Sequence, residues 1–272
     1  MQPLSRLKRR IYLLAFITLF FLCLPFVFFY AGGYRFKSGL GFVQTGGIFI
    51  SVPYSDAHVS LNGEEIGTSG ILNRGFYLDN LTPGAYALHV SREGDYPWYR
   101  TLVVEQQLVT DVRALLVPKE IIPIRLLTGT NTGASSTAII TPPTALLYRS
   151  AFDVPVATTT EGTRGAALYV EHGDVYVRID AESSPPSNFC GRPSYCVREI
   201  PIERGKQTSR TAAFFGGGIV YATIEGGVFL GEADIRPTAI TVPLYPRAGA
   251  DFRIVNGHLI VKDGSALYEI SL

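Results

Sequence analysis

The chain reads as a mostly β protein carried on one N-terminal transmembrane helix, and three features predict this. Residues Ile11 to Ala31 run without a charge behind Arg6, Lys8, Arg9 and Arg10. Beyond Ala31, Val, Ile, Thr, Tyr and Phe recur in short alternating runs. Turns drawing on 28 glycines and 17 prolines separate those runs, a pattern of strands rather than helices. The expected divisions are a basic cytoplasmic tail over 1–10, the membrane helix over 11–31 and a connector over 32–46. A β-sandwich over 47–118, a linker over 119–144 and a second β domain of hairpins over 145–272 follow.

The apolar run would form a helix of about 30 Å, the thickness of a bilayer's hydrocarbon layer. A cleaved signal peptide has a shorter apolar core and small residues before its cut; here Phe29 stands two positions before Ala31. Leu22 precedes Cys23 where a lipoprotein signal wants a small residue, and no polar stripe marks a buried core helix. Pro25 is tolerated in a membrane helix when neighbouring groups re-satisfy the freed carbonyl. Tyr12 at one end, with Tyr30 and Tyr34 at the other, suits an interfacial aromatic belt. Basic residues ahead of the run predict an uncleaved signal anchor with a cytoplasmic N-terminus and an exported remainder.

The formal net charge is +1, and charges beyond the N-terminal run stand singly, which argues against nucleic acid as a partner. Of three cysteines, Cys23 falls in the apolar run. Cys190 and Cys196 flank a five-residue loop, and outside the cytoplasm such a pair can oxidise. Two free thiols are the alternative; zinc would need further His or Cys ligands nearby.

In the first exported stretch, Ile48, Ile50 and Val52 alternate onto one face, and Ala57, Val59 and Leu61 do the same. Asn62-Gly63 follows at once, a hairpin signal because a type I′ turn needs positive φ at both central residues. Leu81-Thr82-Pro83-Gly84 is a turn feeding a strand whose Tyr86, Leu88 and Val90 share a face; Gly94-Asp95-Tyr96 is another, before a strand to Val104. Glu105 to Leu116 has room for a helical turn, but Val103, Val104, Val109 and Val112 favour strands.

The order of these residues, with Leu61-Asn62-Gly63, Gly67-Thr68, Pro83-Gly84-Ala85-Tyr86 and Gly94-Asp95-Tyr96, resembles a PEGA domain over Gly46 to Pro118. Pro53-Tyr54-Ser55-Asp56-Ala57 stands where that family has Pro-Glu-Gly-Ala, and Thr68-Ser69-Gly70 where it has Thr-Pro, both in turns. The resemblance implies a small β-sandwich in an exported, surface-associated module without established catalysis. Trp98, the one tryptophan, would pack at the sandwich edge; Trp98 and Tyr99 are the candidate interaction surface, with Tyr195 and Tyr245 as further aromatic contacts.

Ser135 to Pro143 is rich in Ser, Thr, Ala and Pro and reads as linker. Hairpins then turn at His172-Gly173, Glu225-Gly226-Gly227 and Asn256-Gly257, with a last return at Asp263-Gly264. Repeated hairpins suggest propeller-like blades, yet a closed ring needs at least about four blades of about 40–50 residues. The roughly 130 residues from Ala145 hold three at most, so an incomplete propeller, an open sheet or a ring completed by other subunits is expected. Asp180 to Leu272 resembles the terminal blades of PEGA-plus-propeller membrane proteins of small-genome bacteria.

No catalytic constellation emerges. His58, His89, His172 and His258 are dispersed at strands and turns and read as solvated. Gly67-Thr68-Ser69-Gly70 misses the nucleophile elbow. Gly216-Gly217-Gly218 lacks the Lys-Ser/Thr of a phosphate loop, and Glu64-Glu65 sits on a hairpin turn. Catalytic, cofactor and metal sites are therefore expected to be none. The expected function is non-catalytic: a single-pass cell-envelope protein that contacts membrane lipid through its helix and envelope proteins or glycans through its β-modules. An exported hydrolase or glycan-modifying enzyme, and a structural spacer, are the alternatives.

Overall fold

The computed structural model describes all residues except 1–5, 38, 40, 129–136, 156–158 and 163–164. Parts of the expected basic tail and of the expected linker lie outside the described residues. The chain is mostly β, with one long helix, α1 (Arg6–Ala31), at its N-terminus. From Leu7 to Ala31 this helix has a mean hydropathy of 2.6 and buries no residue, long and apolar enough to cross a membrane. Its last turn closes through Gly32 N–H to the Phe28 carbonyl (2.8 Å) and Gly33 N–H to that of Tyr30 (3.2 Å).

The span read as a plain connector holds a hairpin, β1 (Tyr34–Lys37) with β2 (Gly41–Gln44). Seven strands follow: β3 (Gly46–Ser51), β4 (His58–Leu61), β5 (Glu64–Thr68), β6 (Gly75–Leu81), β7 (Gly84–Ser91), β8 (Trp98–Val104) and β9 (Val109–Arg113). They form a three-stranded sheet, β6-β3-β9, and a four-stranded sheet, β5-β4-β7-β8. Alternation decides what each buries. Ile48 and Ile50 of the first sheet share one core with Val59, Leu61, Leu88, Val90, Leu102 and Val104 of the second. Asn62 (φ 52°) and Gly63 (φ 85°) make the left-handed turn that joins β4 to β5. The stretch after Glu105 turns and enters β9, with no helix.

The span expected to be linker differs from that expectation within its described residues. It carries β10 (Ile124–Thr128) and β11 (Thr137–Ile140), which pair in parallel. A helix that strand-like periodicity does not announce, α2 (Pro142–Ser150), comes next. Thr141 caps it and Pro142 sits at its first turn, where a missing N–H costs nothing. Its Tyr148 packs against Leu126, Ile260 and Leu267.

The remaining strands are β12 (Thr159–Glu161), β13 (Ala166–Glu171), β14 (Asp174–Ile179), β15 (Cys190–Arg192), β16 (Tyr195–Cys196) and β17 (Glu199–Glu203). After them come β18 (Ser209–Phe215), β19 (Gly218–Thr223), β20 (Gly227–Gly231), β21 (Thr241–Tyr245), β22 (Asp251–Val255), β23 (His258–Asp263) and β24 (Ala266–Ile270). Three larger sheets result, β12-β13-β14-β17, β18-β19-β20-β21 and β11-β10-β24-β23-β22, beside the two-stranded β15-β16, and none is closed into a barrel. The third takes a strand from before the first: β10 lies antiparallel to β24. The hairpin unit thus begins ahead of Ala145.

The sandwich and the hairpin unit are not beads on a string. One apolar core runs from Ile48, Val90 and Val112 through Leu115, Leu116 and Val117 to Val220, Leu230, Leu244, Phe252 and Val261. Ala114 to Val117, four consecutive buried residues, carry the chain through that contact.

Candidate functional site at the helix–sandwich junction and the buried seam

Two constellations tie the molecule together, and each joins elements far apart in sequence. The first lies where α1 meets the sandwich. Arg35, on β1, donates from Nε to Asn80 Oδ1 on β6 (2.7 Å) and from one terminal nitrogen to the Tyr30 carbonyl (2.9 Å). Its guanidinium lies 3.9 Å from the centre of the Tyr30 ring. A planar fork can serve all three partners at once, which a lysine ammonium cannot. Gln107 donates to the Gly32 carbonyl (2.9 Å), and the Thr45 hydroxyl and N–H both donate to Gly33 (3.1 and 3.0 Å). These bonds satisfy carbonyls at the helix end that would otherwise be orphaned and fix the helix against the β body.

The second constellation is a seam of charge between sandwich and hairpin unit. On β8 the side chains of Trp98, Arg100, Leu102 and Val104 all point inward. The Trp98 indole N–H donates to Glu232 Oε1 (3.1 Å), and Arg100 donates to Glu232 Oε2 (2.5 Å) and to the Pro237 carbonyl (2.8 Å). Arg236 grips Asp234 (2.7 Å) and reaches the Asp111 carbonyl at 3.1 Å. Two guanidinium groups face two carboxylates, so the buried charge balances; a buried pair survives only when so compensated.

Trp98 therefore does not form an interaction surface. It is fully buried, because the chain from Glu232 to Ile240 covers that end of β8. Tyr99, on the opposite phase, is half exposed and stacks on His89 at 4.4 Å. His89 is partly buried beneath it, with Nε2 shielded and unpartnered among protein groups; it is less solvated than its strand phase implies. Tyr195 is exposed, whereas Tyr245 is buried and donates to Asp263 (2.9 Å). Burial first, and that hydrogen bond second, push the Tyr245 phenol well above the usual tyrosine range.

Cys190 and Cys196 face each other across β15 and β16 and are joined as a disulfide. The loop they close docks on the sandwich, since Ser194 donates from N–H and hydroxyl to the Glu105 carboxylate (2.8 and 2.7 Å). Gly216 and Gly217 form the left-handed turn between β18 and β19, and Glu64 and Glu65 are solvated at the start of β5. His58 lies beside Thr68 and Glu65, and His258 bonds Glu269 (2.6 Å). Among the described residues, no three His, Cys, Asp or Glu side chains are placed to hold one metal ion.

Clefts open on the surface of the described residues. One, of about 780 Å³, lies between sandwich and hairpin unit, with Tyr54, Arg113, Asn188, Phe214 and Asp234 in its walls. Burial raises the Tyr54 phenol above its ordinary range. Another, of about 580 Å³, is a shallow groove of Tyr96, Tyr268, Lys119 and Arg247. Glu232, Asp234 and Arg236 in the wall of the first are engaged within the seam.

Arg35 was legible only as a basic residue close to the headgroups, not as a tie to the sandwich, and Glu232 carried no signal in the sequence. Arg100 carried one signal, its phase with Trp98, Leu102 and Val104 on an otherwise apolar face. Comparison with known protein families and with curated proteins finds no match.

Proposed function

We propose that the chain is a single-pass, membrane-anchored protein of the cell envelope whose β body mediates non-catalytic contacts close to the lipid surface. The observation that carries this reading is the exposed 26-residue helix α1 together with the hydrogen bonds that tie its last residues to the sandwich. A helix exposed on every side and apolar on every side has lipid as its natural solvent. The basic residues ahead of it support a cytoplasmic N-terminus and an exported body.

The sandwich would be PEGA-like, in keeping with its turn residues. The three sheets would be blades of an incomplete propeller, a reading supported by the way β10 completes the final one. The half-exposed Tyr99 and the groove around Tyr96 and Tyr268 are the surfaces that such an interaction module would offer to envelope proteins or glycans.

Carbonate washing of membranes from cells expressing the full chain, with protease added from outside, tests the reading. The expected result is a chain that stays in the membrane pellet and loses its β body to protease. Recovery of an intact chain in the soluble fraction, or a mature N-terminus beyond Ala31, would overturn it.

A further inference from the structure

The hairpin β1–β2 has two unlike faces. Arg35, on one, is tied to Asn80 of the sandwich. On the other, Phe36 and Phe42 stand directly opposite each other with ring centres 5.6 Å apart. Both are largely exposed, at 72% and 66%. A two-stranded hairpin is marginal in water by itself, and one that turns an aromatic pair outward needs a cover.

The structure points to what that cover is. Phe42 lies 6.2 Å from Phe29, and Tyr34 lies 5.5 Å from the same ring. Phe29 belongs to the last turn of α1, so the aromatic face of the hairpin continues the helix's own exposed apolar surface without a break. Arg35 and Lys37 alternate with the aromatic residues, at the level where headgroup phosphates would lie. Aromatic rings beside basic residues are the composition of a membrane–water interface.

We propose that β1–β2 is a second membrane contact: Phe36 and Phe42 dip into the boundary between headgroups and acyl chains beside the helix. The proposal rests on α1 being a membrane span. With the helix it would give the β body two points of support on the lipid and hold it at a set tilt, so that the sandwich end carrying Gly46 and Glu105 faces the bilayer.

The test uses the full chain in vesicles of phosphatidylcholine and phosphatidylglycerol whose acyl chains carry bromines near the headgroup. Trp98, the native tryptophan, is fully buried and supplies a constant background. Phe36→Trp and Phe42→Trp are made separately, with Leu72→Trp as a control on the wholly exposed loop at the opposite end of β3. The expected result is blue-shifted emission quenched about twofold in the first two variants, with the control unquenched. Quenching equal to the control, in a chain that still floats with the vesicles after a carbonate wash, overturns the hairpin contact and leaves the anchor standing. Blue-shifted but unquenched emission also overturns it, because protein rather than lipid would then cover the face. A chain that fails to float overturns both readings.

Discussion

Arg100 of the sandwich and Glu232 of the hairpin unit meet at 2.5 Å with side-chain exposures of 0% and 7%. The pair sits 132 residues apart in sequence and closes the joint between the two β units. Removing one partner of such a pair leaves an uncompensated buried charge, which costs more than the pair itself contributes.

Glu232→Ala should therefore destabilise by about 3–5 kcal/mol, while the double variant Glu232→Ala with Arg100→Met should cost less because neither charge is then left stranded. Denaturant unfolding of the detergent-solubilised chain, followed by Trp98 fluorescence, measures both. Because one core spans the two units, the parent should unfold in a single transition by fluorescence and by circular dichroism. Two separated transitions would show that the seam is not cooperative.

Gly46 has no room for a side chain. A Cβ built there would meet the Glu105 carbonyl and the Val104 side chain at less than contact distance. Gly46→Ala should cost about 1–3 kcal/mol through overpacking, and Gly63→Ala, which faces open space at a φ of 85°, should cost less, about 1 kcal/mol from backbone strain alone. A larger loss at Gly63 than at Gly46 would reverse this ranking.

Reduction of the Cys190–Cys196 bond should have a confined effect. Closing so short a loop is worth about 2 kcal/mol in the chain-entropy model. Hydrogen exchange should quicken in β15, β16 and at Ser194, which the loop presents to Glu105, with the sandwich core unchanged. Exchange that quickens through β19 and β20 as well would show that the bond supports more than its own loop.

Acid should weaken the hairpin β13–β14. The Arg178 hydrogen bonds lower the Glu171 carboxyl below its ordinary value, and bonds from Gly205 and Tyr176 do the same for Asp174. A depressed folded-state value means the contribution is complete above the unfolded value and is lost as pH falls through the folded one. The difference in stability between the parent and Glu171→Gln should thus be full at neutral pH and vanish below the ordinary carboxylate range. A difference that persists in strong acid would mean that the pair does not act through charge.

Arg35→Ala should leave the β body as stable as before but loosen its hold on α1. Losing a charge-assisted bond of about 1–2 kcal/mol should speed proteolysis at Gly32-Gly33 several-fold. Arg35→Lys should restore little, lacking the fork. An unchanged cleavage rate in Arg35→Ala would show that Gln107 and Thr45 alone hold the junction.

The local elements were readable because each carried its own period. Ile48 and Ile50 alternate with Phe49, Val59 and Leu61 with Ser60, and in each set the expected face is the buried one. Asn62-Gly63 and Asn256-Gly257 turn where positive φ demands them. By contrast, α2 was hidden because its nine residues are too short for a helical period to show. Only its Thr141-Pro142 start signalled it. β10 was hidden because its partner, β24, lies at the far end of the chain.

What the sequence determined by itself is what neighbours along the chain decide: an apolar helix long enough for a bilayer, strands, and the turns that reverse them. Only the tertiary structure decided that Trp98 and Arg100 face a seam instead of solvent, and that the two β units share one core. The physical reason is that strand phase says which side chains share a face. What covers that face is chosen by segments more than a hundred residues away, whose approach leaves no mark on local pattern.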